Sequence, residues 1–209
     1  MILEINNAHA SINGRKLFEG LSFTSFPGDI VGIYGAHATG KSFILETILG
    51  LHSLDKGWIT IDGEPVLVST AAYYRRFMSY LPQGLGFGSS TLDEIAKSMF
   101  RAKSSSCNAY TYADICKNLE ILGINSENVG RPFCSLDSSS AQRAALALVG
   151  MLKHPIVLLD EPTSSQDDAY RSMVTEFLRD KRFATSSIVL TTRDERLLSI
   201  CDKVITLSK

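Results

Sequence analysis

Gly35-Ala36-His37-Ala38-Thr39-Gly40-Lys41-Ser42 fits the pattern G-x-x-x-x-G-K-[ST] and stands between an apolar run, Ile30-Val31-Gly32-Ile33-Tyr34, and a helix-like stretch from Phe43 to Leu49. A glycine-rich turn between strand and helix aims successive backbone N–H groups, with the positive end of the helix dipole, at one point where a phosphate chain can sit. Lys41 then reaches the β- and γ-phosphates, and the Ser42 hydroxyl can hold Mg²⁺. Strand, phosphate turn and helix together form the opening unit of an α/β fold.

Upstream of the turn the sequence reads as strands: Ile2 to Ile5, then Leu21 to Ser25, with Pro27-Gly28-Asp29 turning into the strand before the loop. Downstream, Gly57 to Ile61 and Glu64 to Leu67 flank Asp62-Gly63, a dipeptide that favours a tight hairpin. Antiparallel strands therefore accompany the core. From Leu92 to about Gly150 the pattern turns helical, with Leu92, Ile95, Ala96 and Met99 on one face and Tyr112, Ile115, Cys116, Leu119 and Leu122 on another. After Pro155 strand and helix alternate: Ile156 to Leu159, Tyr170 to Leu178, Ile188 to Thr192, and Val204 to Leu207. Such alternation requires a parallel sheet with covering helices. The expected organisation is one domain over 1–209, with 1–84 and 151–209 as core plus β lobe and 85–150 as an inserted helical lobe.

With 209 residues, 44% of them hydrophobic, the chain can bury a sizeable core. A net charge of −1 without a basic cluster excludes an electrostatic footprint for nucleic acid. Apolar runs such as Ile156-Val157-Leu158-Leu159 are far shorter than the ~20 residues a membrane span needs, and Met1 to Ile5 lacks the form of a signal peptide. A cytoplasmic chain is expected. With the sequence ending at Lys209 after the last strand, no appended regulatory domain is expected. Cys107, Cys116, Cys134 and Cys201 have neither C-x-x-C spacing nor a histidine at zinc spacing, so free thiols are expected.

Asp160-Glu161 closes the apolar run from Ile156. An acidic residue at the end of a buried strand can hold the Mg²⁺ shell, a role for Asp160, and Glu161 is placed to act as general base or to orient a water. The pair could instead cap the following turn.

Gly35 to Ser42, Leu81-Pro82-Gln83, Ala141-Gln142-Arg143 and Leu158-Leu159-Asp160-Glu161-Pro162-Thr163-Ser164, in this order, resemble the ATP-binding subunit of ABC transporters. The resemblance implies an α/β P-loop NTPase with a RecA-like parallel-sheet core, an antiparallel β lobe and an inserted helical lobe. It also implies two copies, identical or different, closing head to tail around two MgATP molecules, and a separate transmembrane partner, with the chain peripheral on the cytoplasmic face of a membrane. Lys41, Gln83 and Glu161 would carry catalysis, and Ser42, Gln83 and Asp160 would hold Mg²⁺. The loop residues Gly35, Ala36, His37, Ala38, Thr39, Gly40, Lys41 and Ser42, with Phe43 and Ile12, would bind the nucleotide. Asp167 would sit at the dimer seam.

The departures from the family pattern bear on mechanism. Where the family carries LSGGQ, this chain has Leu136-Asp137-Ser138-Ser139-Ser140. Asp137 opposes a neighbour's γ-phosphate, at a cost on the order of 1 to 4 kcal/mol for unit charges about 4 Å apart. It can equally serve as the N-cap of the helix from about Ser139 to Leu152. Arg193 stands where the family has a switch histidine; it can grip a phosphate but exchanges no proton near neutrality, or it pairs with a nearby acid. Ile12 takes the place of an adenine-stacking aromatic. The leading expectation is a transport ATPase of slow turnover. The alternative is a nucleotide-gated regulatory or scaffolding subunit with little or no hydrolysis. Soluble ABC proteins of DNA repair or translation are set aside for want of a coiled-coil insertion or second cassette, and kinases and GTPases leave Gln142-Arg143 unexplained.

Overall fold

The structure is a computed structural model that describes residues 1–102 and 110–207, so Cys107 lies outside the described residues. The first half runs β1 (Leu3–Ile12), β2 (Arg15–Ser25), β3 (Ile30–Gly35), α1 (Lys41–Ile48), β4 (Lys56–Ile61), β5 (Glu64–Pro65), α2 (Ala71–Tyr74) and β6 (Met78–Leu81). The second runs α3 (Leu92–Ala102), α4 (Tyr112–Ile121), α5 (Ser138–Leu152), β7 (Ile156–Asp160), α6 (Asp168–Leu178), β8 (Ser187–Thr192) and β9 (Lys203–Leu207). A five-stranded parallel sheet of order β6-β7-β8-β3-β9 faces a four-stranded antiparallel sheet of order β2-β1-β4-β5.

Side-chain alternation splits the apolar runs of the parallel sheet between two cores. Val157, Leu159, Ile188 and Leu190 enter one core with α5 and α6. Ile156, Leu158, Val189, Val31 and Ile33 enter the other, with α1 and the antiparallel sheet. Gly32 is demanded on the first side, because a Cβ there would lie 2.7 Å from Cys201 Sγ. This sandwich carries the phosphate loop at the end of β3 and Asp160 at the end of β7, two strands away in the same sheet.

Several boundaries differ from the sequence expectations. β1 continues from the expected Ile5 to Ile12, its alternation hidden because the buried positions beyond Ile5 are the small Ala8 and Ala10. A register shift with Asn7 at φ 44° breaks the pattern further. β2 begins at Arg15, turned by Asn13 and Gly14 at φ 51° and 77°, both left-handed as a two-residue hairpin requires. β5 stops at Pro65, which has no N–H for the ladder, although Val66 N still donates to Ile59 O at 2.9 Å. β6 is a short edge strand outside the expected set. The helical stretch is broken between α4 and α5 by 3₁₀ turns at Ser126–Gly130 and Phe133–Ser135.

Local chemistry sets the helix starts. Thr91 with Glu94, and Thr111 with Asp114, form reciprocal capping boxes. α5 is buried on nearly every side and is held by Arg143, which donates to Leu122 O at 2.6 Å and lies 3.5 Å from the Tyr170 ring centroid. No helix among the described residues is long and apolar enough to cross a membrane. Cys116, Cys134 and Cys201 are free thiols, and burial pushes the Cys201 thiol up to about 11.

Candidate nucleotide site

The phosphate loop reverses direction through left-handed backbone at Ala38 (φ 61°) and Gly40 (φ 90°). Alanine at the first of these costs about 1–2 kcal/mol relative to glycine's freedom. Gly35 has no such latitude for a side chain, since a Cβ would meet Leu207 O and Thr39 Oγ1 at 2.9 Å. The turn delivers Lys41 to the first position of α1, where the side chain folds back over the loop. Its ammonium donates to Gly35 O at 2.7 Å and Ala36 O at 2.9 Å, and lies 3.3 Å from Glu161 Oε1.

Parallel pairing of β7 with β8 sets Asp160 opposite Thr191. The Thr191 hydroxyl donates to Asp160 Oδ1 at 2.5 Å and accepts from Glu161 N at 3.0 Å. One fully buried hydroxyl thus fixes both acidic residues. Replacing it by Thr191→Val is expected to destabilise the fold by about 1.5–3 kcal/mol, the range for a lost hydrogen bond to a charged group. Chemical denaturation with an unchanged slope would show it; an unchanged midpoint would refute it. Burial, then the charges of Asp160 and Glu46, push the nearby Tyr80 phenol up to about 12.

Glu161 itself sits at φ 51°, a left-handed conformation costly for a residue with a Cβ. The reversal turns its carboxylate, only 8% exposed, between two cations. Lys41 approaches from one side; on the other Arg193 donates through its backbone N to Oε2 and through Nε to Oε1, both at 3.1 Å. The acid that Arg193 pairs with is therefore the candidate general base.

A cavity of about 540 Å³ opens along this cluster. It brings together Ile12, the loop from His37 to Phe43, Gln83, Glu161 and Arg193. Asn13, Arg15 and Leu17 also line it, three residues outside the expected set whose only sequence signal is the Asn13-Gly14 turn. Asp160 lies beneath, 3% exposed. The Ser42 hydroxyl, Gln83 amide and Asp160 carboxylate are an all-oxygen donor set of the kind Mg²⁺ takes alongside a substrate's phosphates. Among the described residues no group of three or more His, Cys, Asp or Glu forms a metal cage of its own.

Asp137, Ser138, Ser139, Ser140 and Asp167 are not among the cavity's lining residues. Asp137 caps α5, its Oδ1 accepting from Ser140 N at 3.0 Å, and hydrogen bonding from the Ser140 hydroxyl, then from the Ser140 N–H, holds its carboxyl below the usual Asp range. Ser139 and Ser140 are only part-exposed, and the Ser139 hydroxyl turns inward to Gln166 Oε1 at 2.8 Å. Gln166 donates in turn to Gln142 Oε1 at 2.9 Å, and Gln142 donates to Glu161 O at 3.0 Å. Asp167 caps α6 through Tyr170 N. Asp137→Ala is expected to cost about 1 kcal/mol of stability. Because the folded-state carboxyl titrates below the ordinary 3.8, that contribution is present above this value and fades as pH falls through the lower one. Denaturation at neutral and strongly acidic pH would check it; an equal loss at both would refute the charged cap.

The sequence model of the ABC transporter family matches residues 18–164. A Fe(3+) ions import ATP-binding protein of Rhodococcus jostii is 28% identical over 211 residues, 99% of this chain and 59% of its own. A ribose import ATP-binding protein of Bacillus subtilis is 24% identical over 218 residues, 98% of this chain and 42% of its own. The chain thus spans about half the length of these relatives. An ATP-binding subunit of an ABC transporter shares the fold with TM-score 0.83 at 21% identity, over 99% of this chain and 86% of the other. A dimeric bacterial ABC transporter cassette does so with TM-score 0.81 at 18% identity, over 98% and 94%.

Proposed function

Because the chain belongs to the ABC transporter family, we propose that it binds MgATP in the cavity along its phosphate loop and hydrolyses it slowly, as the ATP-binding subunit of a membrane transporter. The observation that carries this reading is the convergence of Lys41, Glu161 and Arg193 on that cavity. An incoming γ-phosphate competes for both cations. Lys41 would leave its loop carbonyls for phosphate oxygens, and the Glu161 carboxylate would become available to take a proton from the attacking water. Ser42, Gln83 and Asp160 would hold Mg²⁺, which would supply charge neutralisation for the transferred group.

In the proposed cycle two chains close head to tail, the helix start at Asp137 to Ser140 facing the partner's nucleotide and Asp167 the seam. Gln83 and the segment after it relay closure to a separate transmembrane subunit at the cytoplasmic face of a membrane. A partner chain with an intact signature would set that signature opposite this chain's Lys41, Asp160 and Glu161, and would confine the charge conflict to the second site, where Asp137 faces the partner's nucleotide. The second reading, a nucleotide-gated switch with little hydrolysis, is favoured by one observation: Arg193 occupies both oxygens of the base that hydrolysis needs.

The deciding experiment is MgATP-dependent phosphate release by the chain purified with the membrane protein that co-isolates, using Glu161→Gln as control. Turnover abolished by that change supports the transport ATPase. Tight ATP binding without turnover supports the switch, and no nucleotide binding sinks both.

A further inference from the structure

One wall of the cavity is built by the β1–β2 hairpin. Ile12 and Arg15 are direct cross-strand partners, so their side chains leave the same face, and Leu17, two residues on, joins them. All three line the cavity. Leu17 seats the hairpin on the phosphate loop so closely that a Cβ at Gly40 would lie 3.0 Å from Leu17 Cβ. Arg15 is exposed, and among the described residues its guanidinium has no carboxylate partner, only a 3.5 Å approach to Ala38 O. A charged plane is thus held over the loop with one long hydrogen bond to a carbonyl and, among the described residues, no ion pair.

We propose that Arg15 holds the nucleobase, its guanidinium plane lying against one face of the ring. The inference rests on the nucleotide reading above and names a residue for base binding within it. The hairpin position otherwise available for that role is Ile12, 44% exposed, which offers contact area but no π-system. A guanidinium is planar, weakly hydrated and stacks on π-faces, nucleobases included. A phosphate is the wrong occupant here, because the loop group that Arg15 reaches is the Ala38 carbonyl oxygen, which repels an anion. Lys41 and Arg193 already provide for the phosphate chain elsewhere in the cavity. Stacking on a face, unlike an edge-on hydrogen-bond pair, is tolerant of base identity.

The test measures Kd by calorimetry on the full chain for MgATP, MgGTP and magnesium tripolyphosphate. Arg15→Ala is expected to weaken both nucleotides alike, by about five- to thirty-fold, and to leave tripolyphosphate unchanged. Adding Ile12→Tyr to Arg15→Ala is expected to restore ATP binding by returning a π-platform to the same face. Equal weakening of tripolyphosphate would make Arg15 a phosphate ligand and overturn the proposal. So would weakening of GTP alone, the mark of an edge-on bidentate contact to guanine, or unchanged ATP affinity. A wild-type chain that binds none of the three, with Lys41→Ala no different, would instead refute the nucleotide reading itself.

Discussion

Glu161→Gln is expected to lower phosphate release by about two to four orders of magnitude, the usual contribution of a positioned general base, while ATP binding persists. The side chain is replaced at nearly constant volume, and the backbone at φ 51° is held by Thr191 through Glu161 N and is indifferent to the change. Binding is expected to tighten if it moves at all. The substitution removes a negative charge 3.3 Å from the Lys41 ammonium, which leaves that cation to the γ-phosphate. Steady-state phosphate release and nucleotide Kd, measured together on the assembled complex, separate the two effects. Unchanged turnover would mean that the observed hydrolysis came from another site.

Arg193→His combined with Asp137→Ser is expected to accelerate turnover, about 5- to 150-fold if release of the Glu161 pair and of the signature repulsion together recover about 1–3 kcal/mol. The figure is discounted from the bare Coulomb energy because Arg193 is 46% exposed. A guanidinium stays charged at every working pH and so never lets go of Glu161 by titration, whereas an imidazole is largely neutral near pH 7. Serine at 137 can still cap α5, so the helix start is preserved. If the double variant turns over no faster than the parent, these residues do not limit hydrolysis. The proposed switch would then need another cause.

The phosphate loop and Asp160-Glu161 are legible in the sequence because their chemistry is written in contiguous residues: a turn needs its glycines next to the lysine, and an acid needs its strand. The two-layer α/β architecture follows from them and from the alternation after Pro155. What stayed hidden depends on tertiary placement. Ala8 and Ala10 bury as fully as larger residues but carry little hydrophobic signal, so β1 reads at less than half its length. The Asn13-Gly14 hairpin was available as a turn signal, yet only the folded chain shows that it swings Arg15 over the loop. Thr191 looks like any β-branched strand residue until β7 and β8 pair and set its hydroxyl between two acids. Arg193 could be read as phosphate ligand or ion-pair partner, and its grip on Glu161 is a matter of distance that no spacing rule encodes.

The amide chain from Ser139 through Gln166 and Gln142 to the Glu161 carbonyl has a consequence for timing. Glutamine amides have fixed donor and acceptor ends, so the start of α5 cannot shift without rotating an amide beneath Glu161. In the proposed head-to-tail pair the start of α5 would face the neighbour's nucleotide, while Glu161 would act on the chain's own. Each chain would then carry a mechanical wire between the two bound nucleotides, a few hydrogen bonds long. The pair would fire in alternation or in concert, and the two ATP molecules would not be spent as independent events.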